Sequence, residues 1–229
     1  MKKILSSNVL KIIAVLAMVL DHVAHAFISA TSPIYYIFRI IGRIAAPVMF
    51  FGIANGYVYT KNKFKYGRRL LLLALISQIP YSLFLENKLF LVNNYNIVFT
   101  MFLGFVCLCV LYNAKNIFYK SITIFIGCVL SLFCEYSLFG IGLILLFSIC
   151  NNMNLKIIFY CLMSIIYIVY KTVFEHSIFL FIINIGLFLA IPCFYFYSEK
   201  KGKYNLKYLF YVFYPVQFLV IFLIRMLFC

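Results

Sequence analysis

The chain has no tryptophan, one aspartate and only four glutamates among its 229 residues. Charged residues make up 11% of it, against about a quarter in ordinary soluble domains. That shortage excludes a solvated globular surface, and a hydrophobic content of 66% excludes disorder, which requires low hydrophobicity. The eight cysteines form no CxxC pair, and Cys107 and Cys109 project from different faces of a helix. They read as small apolar core residues, and no metal ion is expected. There is no internal repeat or low-complexity tract, and the longest polar stretches, 61–67 and 198–205, are too short to fold alone. With so few acids the net charge is +15. In a soluble protein that excess would point to nucleic acid. In a chain this apolar it does not, and no nucleic-acid partner is expected.

What the chain does have is long apolar runs. A bilayer core of about 30 Å takes roughly 20 residues of helix. Polar punctuation marks nine such segments, at 8–30, 34–60, 68–85, 93–112, 117–134, 137–150, 155–174, 177–197 and 206–228. The pattern predicts an all-α, polytopic membrane protein of about nine transmembrane helices, forming one membrane domain over 1–229. The fifth and sixth segments are short and meet at Glu135. They suggest a broken or re-entrant pair, which at membrane depth has to be covered by protein. Fourteen lysines and arginines fall in one alternating set of connections: Lys2, Lys3, the run from Lys61 to Arg69, Lys115, Lys120, Lys156, Lys200, Lys201, Lys203 and Lys207. The opposite connections hold only Lys88. By the positive-inside rule the N-terminus is cytoplasmic and the C-terminus lies outside. Lys11, at the inner end of the first helix, can snorkel back to the interface. The N-terminal lysines and apolar run imitate a signal peptide with a small-residue site near Ser29-Ala30, but three ionisable groups inside the run argue against a disposable segment.

Those three groups are Asp21, His22 and His25. An ionisable residue inside a span is costly and by default a functional candidate. At about 1.5 Å per residue, Asp21 lies about 3 Å and His25 about 9 Å outward of the first helix's midpoint. On the second helix, running back, Arg43 and Arg39 lie about 6 and 12 Å toward the same face. A three-residue turn makes these helices antiparallel neighbours, so the only aspartate meets an arginine pair that shares one helix face by its i, i+4 spacing. Asp21 and His25 are also i, i+4, while His22 points about 100° away from Asp21. An Asp21–Arg bridge that merely joins the helices is the simpler alternative. Pro47 donates no hydrogen bond to the carbonyl of Arg43, which predicts a kink beside that guanidinium. Lys171 and Arg225 are further cations within or at the ends of spans. Gln78, Asn96, Thr100, Asn184 and Gln217 fall near the middle or outer half of their spans, with Glu135 and His176 at outer turns. Singly, each amide reads as an interhelical hydrogen bond; together they suggest a polar cavity at or outside the midplane.

Several segments carry a resemblance. Val15 to His22, Gly42-Arg43-Ile44-Ala45-Ala46-Pro47, Tyr66-Gly67-Arg68-Arg69-Leu70, Ala74 to Pro80, Asn96 to Thr100, Tyr136 to Gly140 and Tyr211 to Pro215 resemble the signature segments of the TraX family of membrane proteins, in order along the chain. The resemblance implies acetyl transfer, pilin acetylation being associated with the family, and a place within a broader group of transmembrane acyltransferases. It implies a multi-pass protein of the bacterial cytoplasmic membrane, with acetyl-CoA as co-substrate. Asp21, His22 and Arg43 fall on the family's Asp-His and Gly-Arg motifs. Gln217 stands where the family pattern has His, and Gln cannot shuttle a proton. Glu135 is a milder departure.

Acyl transfer needs an acceptor deprotonated at the right moment and a stabilised oxyanion. His22 is the expected general base, with His25 its alternate and Asp21 orienting or charge-balancing. Arg43, assisted by Arg39, is expected to stabilise the oxyanion or clamp a substrate anion. Arg68 and Arg69, within the basic run, are expected at the CoA phosphates, and Asn55 and Gly56 along the route inward. Gln78, Asn96, Glu135 and Gln217 complete the expected substrate cavity. The acceptor would be a peptide, lipid or glycan, and Phe-rich outer faces would permit a homodimer. Two other classes fit the same residues: a proton-coupled transporter or flippase, and a non-catalytic assembly factor.

Overall fold

The computed structural model describes residues 3–89, 93–200, 202 and 207–228, with backbone alone at 207–209 and 228. Lys2, Lys201, Lys203 and Cys229 lie outside the described residues. The helices are α1 (Ser7–Phe27), α2 (Pro33–Gly42), α3 (Ala45–Tyr59), α4 (Lys63–Glu86), α5 (Ile97–Asn113), α6 (Ile117–Ser131), α7 (Ser137–Ile149), α8 (Met153–Phe174), α9 (Ile178–Asn184), α10 (Ile191–Tyr195) and α11 (Lys207–Phe228), with a 3-10 helix at Ile185–Ala190 joining α9 to α10. Asparagine sets four of the starts. The side chains of Asn62, Asn96, Asn116 and Asn152 accept from the backbone N–H two or three residues on, and Ser6 does the same for α1. A chain with one aspartate thus caps its helices with neutral side chains.

Six helical stretches are long and apolar enough to cross a bilayer: α1, α2–α3 taken together, α4, α8, the run from Ile178 to Tyr195, and α11 from Phe210 to Leu227. The remaining three, α5, α6 and α7, have 17, 15 and 13 residues. The nine expected segments therefore correspond to six helices of spanning length and three shorter ones. Their ends move for local reasons. α4 starts at Lys63 rather than at 68, because Asn62 caps it and Lys and Arg are good helix formers. α5 starts at Ile97 rather than at 93, because Asn96 is its cap.

The residues group into two compact units, with the boundary inside α3. The first comprises Met1–Gly52 and Cys150–Leu206. Here α1 packs along α2, and α2 packs on α9 and the 3-10 helix. The buried face of α1 carries Leu10, Ala14, Ala17, Met18 and Ala24. α8 offers lipid a row of exposed apolar side chains, including Ile158, Leu162, Ile165, Ile166 and Val169. Its buried side holds Tyr160, Ser164 and Ile168. Residues 4–7 are tied to the end of α10: Leu5 N–H donates to the Phe196 carbonyl at 2.9 Å, and Ser198 N–H donates back to the Leu5 carbonyl at 2.9 Å.

The second unit comprises Ile53–Ile149 and Lys207–Cys229. α5 lies among α4, α6 and α7, and α11 packs along α4. Most of one side of α5 is buried, from Ile97 to Leu108. The expected break at Glu135 is a turn between α6 and α7, with Tyr136 and Ser137 at positive φ. This non-helical backbone is satisfied by a second one. Tyr95 N–H donates to the Phe133 carbonyl at 2.8 Å, and Glu135 N–H donates to the Tyr95 carbonyl at 2.9 Å. Pairing two irregular stretches meets the rule that backbone polar groups in an apolar medium must find partners within the protein.

Candidate functional site

In the first unit the acid and the arginine pair meet. Arg39 Nη1 donates to Asp21 Oδ2 at 2.7 Å, and Arg43 Nη2 reaches Asp21 Oδ1 at 3.4 Å. The three side chains are 13–16% exposed, so the cluster is largely withdrawn from its surroundings. Arg39 also lies over the Tyr35 ring, 5.8 Å from its centroid. Both carboxylate oxygens are engaged by guanidinium groups. The Asp21–His25 pairing that the i, i+4 spacing suggested therefore competes with two arginines, and His25 sits on an exposed part of α1. His22 is half-buried, with Nδ1 shielded from solvent, and lies within electrostatic reach of Asp21, His25, Arg39 and Arg43.

Two local features of the second span make this geometry possible. Gly42 is buried against Asp21: a Cβ there would stand 2.5 Å from Oδ1 and 2.8 Å from Cγ. Glycine lets the carboxylate lie against the backbone of α2, one residue from Arg43. The expected kink at Pro47 is a break instead. α2 ends at Gly42, Arg43 and Ile44 form a turn, and α3 begins at Ala45, which puts Pro47 in the first turn of α3. Proline is tolerated there, because first-turn N–H groups have no helical acceptor. Arg43 thus stands on a turn between two helices.

That turn is buttressed from α9 and the 3-10 helix. Gly186 lies so close to α2 that a Cβ would overlap the Ile40 carbonyl. The 3-10 geometry sends Ile191 N–H to the Phe188 carbonyl. The Leu187 carbonyl takes its bond from the buried Tyr160 hydroxyl, at 2.6 Å. Asn184, expected at a polar cavity, is buried at the end of α9, immediately before the 3-10 helix. Neither Tyr160 nor Gly186 was singled out by sequence reasoning. The close spacing of Asn184, Gly186 and Pro192 was the available signal of an irregular span.

The second unit holds the remaining candidates. Gln78 Oε1 accepts from the Asn96 backbone N–H at 3.0 Å and from Asn96 Nδ2 at 2.9 Å. Asn96 Nδ2 also donates to the Ala74 carbonyl at 2.9 Å. Gln78 Nε2 donates to Ser82 Oγ and to the Asn94 carbonyl, each at 3.3 Å, and the Tyr81 hydroxyl reaches Asn94 Oδ1 at 3.3 Å. Thr100 Oγ1 donates to the Glu135 backbone carbonyl at 2.6 Å. Gln217 is buried on α11, and Glu135 and Asn55 are half-buried. Arg68 is exposed. Arg69 is half-buried, 5.9 Å from the Tyr66 ring centroid, with a shielded Nε that has no hydrogen-bond partner among the described residues. Gly56 lies beneath the Tyr66 hydroxyl. The other span-end cations are simpler: Lys171 pairs with Glu175, and Arg225 is exposed in the last turn of α11.

Helices of spanning length, apolar outer faces and an acid–guanidinium cluster set inside two of those helices define a multi-pass integral membrane protein with a polar site embedded in its spans. Residues 6–225 match the family described as TraX protein, and the chain belongs to that family. A curated relative, the probable fimbrial assembly protein FimC, serogroup H1, of Dichelobacter nodosus, is 29% identical over 221 residues, with 91% of each chain covered. No solved structure matches the chain significantly.

Proposed function

We propose that this protein is a membrane-embedded acyltransferase, moving an acetyl group from acetyl-CoA to an amine or hydroxyl acceptor, with His22 as general base. The observation that carries this reading is the Asp21–Arg39–Arg43 cluster beside His22, inside helices that are otherwise apolar. Placing three charged groups there is expensive, and a plain helix–helix contact does not require it. In the reaction the acceptor N–H or O–H attacks the thioester carbonyl while neutral His22 takes its proton. The tetrahedral oxyanion is held by Arg43, the carbon–sulfur bond breaks, and the proton passes to the departing thiolate, leaving free CoA and the acetylated acceptor. Asp21 holds the two arginines in place and lies within electrostatic reach of His22. His25 is the alternate base.

The basic run suits the donor. Arg68 and Arg69 lie in the second turn of α4, whose first turn holds no acid, and a guanidinium fits phosphate geometry. The charge asymmetry of the connections supports a cytoplasmic N-terminus and an external C-terminus, with nine membrane-inserted segments in the bacterial cytoplasmic membrane. The relative's name supports an acceptor connected with fimbriae, such as a pilin-like peptide amine, or another envelope component. Gln217, where the family pattern has His, leaves proton transfer to α1. Phe-rich outer faces permit a homodimer.

The test uses purified full-length protein in liposomes with labelled acetyl-CoA and a panel of amine and hydroxyl acceptors, following free CoA and acetylated product. Turnover that is lost in His22→Ala and retained in His176→Ala supports the assignment. Absence of turnover across the panel, with proton-coupled flux of any panel member, overturns it in favour of transport.

A further inference from the structure

Near the start of α4 the second unit gathers two polar side chains that the fold leaves unbonded. The half-buried Arg69 guanidinium has no hydrogen-bond or ion-pair partner among the described residues, and its Nε is shielded from solvent. No acid of the unit is within reach. Glu86 pairs with Lys88 about 25 Å along the helix, and Glu135 faces Tyr81, about 18 Å along it. Tyr66, one turn back from Arg69, turns its ring toward the guanidinium, with Arg69 Cζ 5.9 Å from the ring centroid. Phe105 packs edge-on against that ring at 4.8 Å and fixes its direction. The hydroxyl is thereby laid on the bare backbone of Gly56 in α3, where a Cβ would stand 2.7 Å from the oxygen. That hydroxyl has no hydrogen-bond partner among the described residues, and it lies within electrostatic reach of Arg69 and of Tyr211 on α11. A guanidinium offers only donors, and a phenol offers one more. Leaving them unmade at a half-buried position is unfavourable, and an acceptor with several oxygens relieves it.

We propose that Arg69 and Tyr66 together bind one phosphate group, the guanidinium taking two oxygens and the Tyr66 hydroxyl a third. Phosphate suits the pair better than carboxylate, which has no third oxygen to offer. Gly56 is then a positioning residue, because its missing side chain is what admits the hydroxyl. Arg68 is exposed, so it stands outside the pair and adds only long-range attraction. On the acyl-transfer reading the phosphate belongs to the donor, and Tyr66 with Arg69 selects donors that have one. That assignment rests on the reading; the phosphate site itself does not. A phospholipid headgroup presents the same chemistry, and the experiment separates the two sources.

Full-length protein in dodecyl maltoside micelles, which contain no phosphate, is titrated with CoA, with pantetheine and, separately, with phosphatidylglycerol, following affinity and melting temperature. Saturable binding of CoA, at least about tenfold tighter than pantetheine, supports a phosphate of the donor. Binding of phosphatidylglycerol without CoA supports the site and overturns its assignment to the donor. In either case Arg69→Gln and Tyr66→Phe each weaken binding about tenfold or more, whereas Arg68→Gln weakens it about fivefold at most. Gly56→Ala matches Tyr66→Phe in affinity and lowers the melting temperature. The Tyr66→Phe/Gly56→Ala double variant binds no more weakly than either single one and recovers most of that melting temperature, because the oxygen nearest the new methyl is gone. A merely structural Tyr66 gives a different result: Tyr66→Phe keeps the ring packing and binds as wild type does, which overturns the proposal. Equal losses in Arg68→Gln and Arg69→Gln, CoA binding no tighter than pantetheine in the absence of lipid binding, or no binding of any probe by wild type also overturn it. Acetyl-CoA turnover is read separately. Phosphate-dependent binding without turnover keeps the site and removes the acyl-transfer reading, and turnover with undiminished affinity in Arg69→Gln and Tyr66→Phe does the reverse.

Discussion

Gly42 is where a single methyl group tests the architecture of the cluster. A Cβ at this position would lie 2.5 Å from Asp21 Oδ1 and 2.8 Å from Cγ, well inside van der Waals contact. For Gly42→Ala, either α1 and α2 move apart or the Asp21 carboxylate turns away, and both lengthen the 2.7 Å bond to Arg39. Overpacking of this kind costs about 1–3 kcal/mol. Displacing a buried carboxylate from its guanidinium approaches about 3 kcal/mol, reduced here because the groups keep 14–16% exposure. Alanine recovers about 1 kcal/mol of helix propensity. The expected net loss is about 1–4 kcal/mol. Gly52→Ala supplies the control, since Gly52 is exposed and its Cβ would meet nothing within 4 Å. That variant receives the propensity gain alone, so it should be neutral or up to about 1 kcal/mol more stable. The two alanines should therefore differ by at least about 1 kcal/mol, roughly fivefold in the unfolding equilibrium. Reversible denaturation in mixed micelles, monitored by circular dichroism, measures both. If the two variants agree within about 0.5 kcal/mol, the carboxylate does not rest against α2 and the geometry of the cluster is wrong.

Other residues give sharper comparisons than simple deletion. Asn96→Ala removes a helix cap and the donor to the Ala74 carbonyl and Gln78, for an expected loss of about 2–4 kcal/mol by the same denaturation assay. Asn96→Asp keeps the capping oxygen but has no N–H to offer those two acceptors, so it should be at least as damaging as alanine, although at an exposed cap the two residues are equivalent. Tyr160→Phe leaves the buried Leu187 carbonyl without its donor, an expected cost of about 1–3 kcal/mol, with faster amide exchange along 185–190. Gly186→Ala drives a methyl into the Ile40 backbone, so it should lower thermal stability more than any of these; an unchanged melting temperature would mean that the 3-10 helix does not touch α2.

Sequence reasoning located the Asp21–Arg39–Arg43 meeting correctly because it needed only depth, a short turn and the 3.6-residue period. Those quantities are set by helix geometry and bilayer thickness, whatever side chains surround them. It stopped short where the outcome depended on which of several partners wins. Spacing alone lets Asp21 reach His25, but a local i, i+4 contact cannot anticipate that two guanidiniums from a neighbouring helix also bond both carboxylate oxygens. Pro47 signalled an irregularity without saying whether the helix would bend or stop, since a proline is interior or first-turn according to where the preceding helix ends. The 3-10 helix was hidden for a related reason: it sets Gly186 against the Ile40 backbone, a contact between distant parts of the chain. In the second unit, Asn96 was legible as a polar residue in a span. Its identity as a cap, bonded to Gln78 and paired by neighbouring backbone to the Glu135 turn, required the tertiary structure.

These two kinds of polar residue divide by how completely the protein satisfies them. Gln78 and Asn96 place their donors and acceptors on each other, on Ser82 and on nearby backbone. A ligand arriving there would have to displace bonds already made, and binding of that kind gains little, because the displaced groups lose what the ligand supplies. At the Asp21–Arg39–Arg43 cluster one carboxylate serves two guanidiniums, and Arg39 Nε, shielded from solvent, has no hydrogen-bond partner among the described residues. The amides expected to line a substrate cavity are then better candidates for holding α4 and α5 in register, and the proposed acyl transfer is assigned to α1 and α2. Replacing Gln78 by Leu should accordingly lower stability before it touches any acetyl transfer by the surviving folded protein. Arg43→Gln should do the reverse, leaving the fold in place while catalysis falls. A Gln78→Leu protein that keeps its melting temperature and loses turnover would return the amides to the site and refute this division.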